Sequence, residues 1–291
     1  MSKYLKIIIA ILVLSVSLYY GSTYLLGLKD KSALNENQSS IIPPLTEAQK
    51  LEAAKAPAGM VYVPEGEYLS GIPSSNKKPL TTITLKSFYI DRLEVTNEQY
   101  LTFMNNHPEW QRGSVSLELQ DGHYLAAFEG KTFPAGLERY PVNWVSWYTA
   151  QAFCEADRKR LPTATEWEKA ARGTDGRIYP WGNDFDGTLA NFCDRSCPFS
   201  DRSRTWDDGF ERLAPVGSIV DGASPYGVLD MSGNVAEWVA DWATGNLVKL
   251  VRGGSWQDAP NVGYKVYLTG TWLPKKTSSQ IGFRCVADVV K

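Results

Sequence analysis

Histidine and cysteine are both scarce in this chain. Only two histidines, His107 and His123, occur in 291 residues. A site that needs three imidazoles, whether a His-ligated zinc or a three-histidine iron centre, therefore cannot be built from the chain alone. Net charge is lacking too: 30 Lys and Arg stand against 32 Asp and Glu, a formal charge of -2. No run of about five like charges occurs, so there is no field to hold nucleic acid, and no nucleic-acid partner is expected. There is no internal repeat. A composition 43% hydrophobic and 21% charged excludes a disordered tail, a coiled coil and a collagen-like rod.

One long apolar run is present. Lys3 and Lys6 precede Ile7 to Leu28, which holds no charged residue, and Lys29, Asp30 and Lys31 close it. At about 1.5 Å per residue the run is about 33 Å long as a helix, against a hydrocarbon core of about 30 Å. A cleaved signal peptide would end its apolar part near Leu18, with small residues at Ser15 and Ser17. Tyr19, Tyr20 and the second apolar stretch from Tyr24 to Leu28 favour a retained anchor. Residues 1–6 then form a cytoplasmic stub and 7–28 a transmembrane anchor or signal peptide. The two lysines put everything after Asp30 on the outer side. This describes a single-pass protein of the inner, cytoplasmic membrane whose body faces the periplasm or cell exterior. Residues 29–56, polar and containing Pro43 and Pro44, read as a linker with room for a short helix from Thr46 to Lys55. Residues 57–291 read as one folded domain.

That domain combines ten Trp with most of the 15 Tyr and 24 Gly. Aromatics bury large areas and glycines permit tight turns, so a core held by long, specified loops is expected. Met60 to Pro64, Ile83 to Ile90, Lys249 to Arg252 and Gly282 to Ala287 have strand character. Helix starts are marked by Thr96-Asn97-Glu98-Gln99, by Ser146 ahead of Trp147 to Asp157, and by Thr163-Ala164-Thr165-Glu166, whose helix Gly173 can end. From Arg172 to Ser224 regular patterning dissolves into turns. His107 and His123 fall in a polar, turn-rich segment, residues 105–139, and surface placement is expected for both.

Several segments resemble a known family. They are GMVYVPEGEYLSG (59–71), FYIDRLEVTNEQYLTF (88–103), YPVNWVSWYTAQAFCEADRKRLPTATEWEKAARG (140–173), YPWGN (179–183), APVGS (214–218), SPYGVLDMSGNVAEWVADW (224–242), RGGSW (252–256) and IGFRCVAD (281–288). In this order and over this length they resemble the formylglycine-generating enzyme, or sulfatase-modifying factor, domain. The resemblance implies an α+β, loop-rich fold of that type, distantly like C-type lectins.

The family's oxidases hold copper with two cysteines just after the glycine-serine-aromatic segment. The corresponding stretch here, Gln257 to Gly263, reads QDAPNVG, so Asp258 and Gly263 stand where the thiolates would be. Neither supplies soft sulfur, and copper is not expected. The family's ergothioneine-type branch uses iron held by three histidines, which this chain lacks. The resemblance also implies a Cys154–Cys285 disulfide across a loop of about 130 residues, contributing roughly 4 to 5 kcal/mol in the chain-entropy model. Cys193 and Cys197 are then left to each other as a disulfide, the alternative being a soft-metal or redox pair.

By the same resemblance, structural calcium is expected at two places. One uses the side chains of Asn191 and Asp208 with the carbonyls of Phe192 and Phe210; the other uses the carbonyls of Ser232, Gly233 and Val235 with the carboxylate of Glu237. Calcium takes six to eight hard oxygens, and loops of this kind can wrap it. The alternative is that Asn191, Asp208 and Glu237 only cap turns or pair with arginines. A ligand groove is expected from Trp238, Ser255, Trp256, Trp272 and Arg284, with Asp258 and Ser255 as catalytic candidates. Trp238 and Trp256 have core placement as their alternative.

Without copper, the expected function is that of a membrane-anchored, exported binding or accessory protein for a partner protein or a small ligand. The alternative is a maturation oxidase of this family with altered chemistry on a peptide or small molecule. Some periplasmic relatives finish siderophore chromophores or mature respiratory reductases. A lectin-type display role is disfavoured because no Asn-rich run lies between Trp256 and Gly282.

Overall fold

Four reciprocal capping boxes set the helix starts. In the computed structural model, which describes residues 43–73, 80–200, 202–243, 245–259 and 264–290, Thr46, Thr96, Ser146 and Thr163 each accept the backbone N–H three residues on. The side chain three residues on returns the bond in every case. The helices are α1 (Glu47–Ala54), α2 (Asn97–Asn106), α3 (Trp147–Ala156) and α4 (Ala164–Arg172). Each such cap contributes about 1 kcal/mol. Gly173 ends α4 at φ 72, a conformation that costs a residue with a Cβ but not glycine.

The strands are β1 (Met60–Val63), β2 (Gly66–Ser70), β3 (Thr81–Leu85), β4 (Phe88–Asp91), β5 (Ala236–Trp242), β6 (Lys249–Arg252), β7 (Gly270–Trp272), β8 (Ile281–Gly282) and β9 (Val286–Asp288). They form a sheet β1-β4-β9, a pair β2-β3 and a sheet β7-β6-β5-β8. All pairings are antiparallel except β5 with β8.

Two expected strands are each broken in two. Ile83 to Ile90 is divided at Lys86 and Ser87, because β3 pairs with β2 while β4 lies between β1 and β9. Phe88, Tyr89 and Ile90 are buried in succession, as a strand covered on both faces requires, whereas β3 is largely exposed. Gly282 to Ala287 is divided between β8 and β9, in different sheets, with Arg284 and Cys285 turned inward between them. The disulfide joining Cys154 of α3 to Cys285 is present, as is the Cys193–Cys197 bridge.

The compact body begins at Leu45, ahead of the expected boundary at 57. Helix α1 belongs to it, and Tyr89 Oη donates to the Glu52 carbonyl at 3.1 Å. The expected anchor, residues 7–28, lies outside the described residues, as do the stub and the linker up to 42. Among the described residues no helix is long and apolar enough to cross a membrane.

Three apolar clusters fill the body. One joins Tyr100, Phe103, Val142, Trp238, Phe283 and the Cys154–Cys285 bridge; a second surrounds Trp167 with Val63, Phe88, Ile90, Val239 and Val266. The third, Tyr179, Ala190, Phe192 and Tyr264, holds the loop-rich part. Trp238 is fully buried and donates Nε1–H to the Val145 carbonyl at 3.0 Å, so core is its place. Truncating a buried Trp of this kind to Ala costs about 3 to 5 kcal/mol.

Candidate functional site

The loops between α4 and β5 bring the first expected calcium set together. Asp208 accepts the Phe192 N–H at 2.9 Å and the Phe210 N–H at 2.8 Å. Asn191 donates its amide to the Arg212 carbonyl at 2.9 Å and to Asn234 Oδ1 at 3.0 Å, while its own Oδ1 is buried with no partner. Asp194, fully buried, accepts the Asp208 backbone N–H. Burial pushes the Asp208 carboxyl up to about 7; its two N–H donors work against that, and Asp194 and Asp207 add to it. An orphaned buried acceptor beside a carboxylate whose charge is disfavoured is what a hard cation would relieve. Asn191 Oδ1 and the Asp208 carboxylate are the side-chain donors that a calcium ion would take here, and among the described residues no cluster of three or more His, Cys, Asp or Glu side chains surrounds them.

In the second set the expected carboxylate is already taken. Glu237 is fully buried and faces Arg284, with Oε1 on Nη2 and Oε2 on Nε, both at 2.7 Å, and Trp167 Nε1 donates to Oε2 at 2.9 Å. Both oxygens are engaged and a guanidinium already neutralises them, so Glu237 is an ion-pair partner here. Ser232 Oγ donates to the Tyr264 carbonyl at 2.7 Å, and Val235 N–H donates to Glu94 at 3.1 Å. Gly233, at φ 91, passes so close to the Asn191 carbonyl oxygen that an added Cβ would sit 2.1 Å from it, and only glycine serves.

Glu94, Asp230 and Asn234 went unread in the sequence. Glu94 also accepts from Asn234 Nδ2 at 2.7 Å, and Asn234 Oδ1 accepts from Ala214 N–H at 3.0 Å. Burial first, then Asp230 and Glu237, hold Glu94 well above the usual carboxylate range. Burial pushes Asp230 up to about 6. Arg284 is the counter-ion of this group and also donates to the carbonyls of Asp91, Arg92 and Leu229. The available signals were Glu94 inside LEVTN and Asn234 inside SGN, both in the segments that carry the resemblance.

The expected groove residues are only partly assembled. Ser255 N–H and Oγ–H donate to Asp258 Oδ2 at 2.8 and 3.0 Å, so the Asp258 carboxylate closes its own turn. The Asp258 carbonyl accepts Cys193 N–H at 3.1 Å, setting the Cys193–Cys197 loop against it. Trp256 is covered, stacked on Phe199 at 5.9 Å with the Arg212 guanidinium 5.5 Å from its ring centre. Trp238 and Arg284 lie inside the body and line no open surface. Trp272 stands on β7, the edge strand of the larger sheet. Gly263 is outside the described residues. His107 and His123 are partly exposed, as expected.

A cavity of about 740 Å³ opens elsewhere, beside α2 and the end of α3. It is lined by Asp91, Glu94, Glu98, Phe103, Phe153 and Lys159 among others, and by none of the expected groove residues.

The family model for the sulfatase-modifying factor enzyme 1-like domain matches residues 46–289. Among curated relatives, the inactive C-alpha-formylglycine-generating enzyme 2 of Mus musculus is 28% identical over 296 residues, covering 87% of this chain and 95% of its own length. Its Bos taurus counterpart is 31% identical over 268 residues, covering 78% and 87%. The formylglycine-generating enzyme of Thermomonospora curvata is 28% identical, covering 79% and 93%. Among solved structures, PvdO from Pseudomonas aeruginosa superimposes with a TM-score of 0.63 at 22% identity, over 79% of this chain and 94% of that one. The fold, the eight ordered segments and the extent of these matches place the chain in the sulfatase-modifying factor enzyme 1-like domain family.

Proposed function

We propose that the chain is an exported, membrane-anchored member of this family that acts without copper, as a binding or accessory protein for a partner protein or small ligand. The observation that carries this reading is the turn at 255–258. Asp258 stands at one of the two positions corresponding to the copper thiolates, and its carboxylate is folded back onto Ser255. Cys154, Cys285, Cys193 and Cys197, all the cysteines of the chain, are spent in two disulfides. Two disulfides also suit an oxidising compartment, which supports export. Relatives named as inactive formylglycine-generating enzymes, at 28% and 31% identity, support a non-catalytic role.

In this reading calcium is structural, with Asn191 and Asp208 as its side-chain ligands. A bound calcium would neutralise the Asp208 charge and satisfy Asn191 Oδ1, coupling metal binding to the folding of loops that have few ladder bonds. The test uses full-length protein purified from membranes, loaded with copper(I) and incubated in air with a Cys-x-Pro-x-Arg peptide. Mass spectrometry is expected to find no aldehyde; catalytic turnover would overturn the proposal. A reproducible partner in a pull-down from membranes would identify the accessory role.

A further inference from the structure

We propose that the face formed by Trp242, Leu247 and Leu273 rests on the lipid bilayer, so that the body lies against the membrane instead of only hanging from a tether. These side chains are 41%, 74% and 53% exposed. They come from three neighbouring pieces of one sheet. Trp242 ends β5; Leu247 lies in the turn to β6, which Ala243 N–H closes on the Val248 carbonyl at 2.9 Å; Leu273 directly follows β7. Lys249 pairs in register with Trp242 on one side and Trp272 on the other, with Leu247 two residues before Lys249 and Leu273 one residue after Trp272.

Trp147 joins them from α3. Its ring centre lies 6.3 Å from that of Trp242, and its backbone N–H donates to the Pro274 carbonyl at 2.9 Å, next to Leu273. Beneath the rings the Lys249 ammonium sits 3.7 Å from the Trp147 centroid and 4.0 Å from that of Trp242, and donates to the Ala240 carbonyl at 2.7 Å. This cation–π clamp fixes the Trp242 indole in its outward position. Lys275, exposed, and Lys276, which also meets Asp121 at 3.1 Å, follow Leu273 after Pro274. Large apolar side chains with tryptophan and a lysine rim are the composition of a membrane-interface contact.

The sequence supplies the occupant. Ile7 to Leu28 is uncharged and long enough to span, and the compact body begins at Leu45. The intervening chain reaches about 50 Å at full extension and about 20 Å as a coil. In the anchored reading, a tether of this length keeps the effective concentration of lipid at the body high enough for even a weak contact to persist. Among the described residues, the remaining exposed large apolar side chains, Leu51, Ile72, Leu117, Val220 and Val290, belong to separate segments.

This inference rests on the anchored reading above, and its test reads the two separately. Full-length protein is reconstituted in phosphatidylcholine–phosphatidylglycerol vesicles with and without brominated acyl chains. Because residues 1–42 contain no tryptophan, quenching reports the body alone. Bromolipid is expected to quench part of the emission, and Trp242→Phe and the pair Leu247→Asp with Leu273→Asp are each expected to abolish most of that quenching with unchanged far-ultraviolet dichroism and a cooperative melt. Hydrogen exchange of wild-type protein adds a readout free of mutation, with slower exchange at 245–249 and 270–276 in vesicles than in detergent. Absent quenching, or quenching indifferent to the substitutions, overturns the proposal. So does protection of the same segments in detergent that grows with protein concentration, the result expected if a second copy covers the face. An alkaline carbonate wash independently reports the anchor: release into the supernatant refutes the anchored reading and leaves the quenching result to decide the face.

Discussion

The two sides of this body are held by different physics. Around α3, α4 and the sheets, backbone ladders, capping boxes and two large apolar clusters carry the structure. Between α4 and β5, the described residues of 174–235 contain one 3₁₀ turn, Val220–Gly222, and isolated bridges such as Tyr179 with Gly182 and Asn191 with Gly233. There scattered turn bonds share the backbone with side-chain partners. Arg177 Nη1 donates to the Pro180 carbonyl, Asp208 accepts from two backbone amides, and Asn234 receives the Ala214 amide. A ladder spreads its loss over many bonds, whereas a polar hub loses everything with one side chain or one ion.

The two disulfides give the largest test of this contrast. Cys154–Cys285 closes a separation of 131 residues inside the ladder-built part, and Cys193–Cys197 closes a separation of 4 inside the loops. In the chain-entropy model the first contributes about 4 to 5 kcal/mol and the second about 2 kcal/mol. Replacing both cysteines of the long bridge by serine is expected to shift the guanidinium midpoint of the whole domain. Replacing Cys193 and Cys197 is expected to shift it by less than half as much, while raising hydrogen exchange at 193–212. Equal global losses from the two pairs would show that the loops fold as one unit with the sheets.

The same contrast explains what could be read in advance. Thr46, Thr96, Ser146 and Thr163 announce their helices because a capping box is local, all within four residues. The break at Lys86 and Ser87 was invisible because it depends on which distant strands claim β3 and β4. Strand β5 was missed because its first four residues are buried in succession, which erases the alternation that marks a half-covered strand. In the site, Asp208 reaches the backbone amide of Phe192, the residue after Asn191. The partner that occupies Glu237 is Arg284, 47 positions away, and no local pattern points to it.

The proposed calcium gives the next expected effect in size, centred on the loops. With free calcium about 100-fold above its dissociation constant, binding contributes about 2.7 kcal/mol. For a body of this length that corresponds to about 5 to 10 °C in Tm. Chelation is expected to lower Tm by that amount and to speed exchange at 190–212 while leaving the β1-β4-β9 sheet protected. Asp208→Asn is expected to remove the response, and Glu237→Gln to destabilise the protein without removing it, because Glu237 is spent on Arg284. A melt that ignores chelator over a wide range would refute the ion, and a response lost equally in both variants would restore the second set.

The smallest effect sits on the ladder side and is a pH slope. Burial pushes the Lys249 ammonium down to about 8 from its ordinary 10.5, while the two indole faces and the Ala240 carbonyl favour the charge. Between those two values the unfolded chain binds the proton that the folded one has released, so this group's contribution to stability rises with pH from about 8 to 10.5 and is flat below. Lys169, also pushed down to about 8 by burial, behaves alike, and tyrosines such as Tyr68, pushed up to about 12, act in the opposite direction as they ionise in the unfolded chain. Comparing wild type with Lys249→Met cancels both. Urea titrations at pH 7, 8, 9 and 10 are expected to show the wild type gaining on the variant above pH 8, by on the order of tenfold in the unfolding constant. A difference that stays constant from pH 7 to 10 would mean that the indole cage keeps the ammonium charged throughout, making the clamp on Trp242 stronger than its burial.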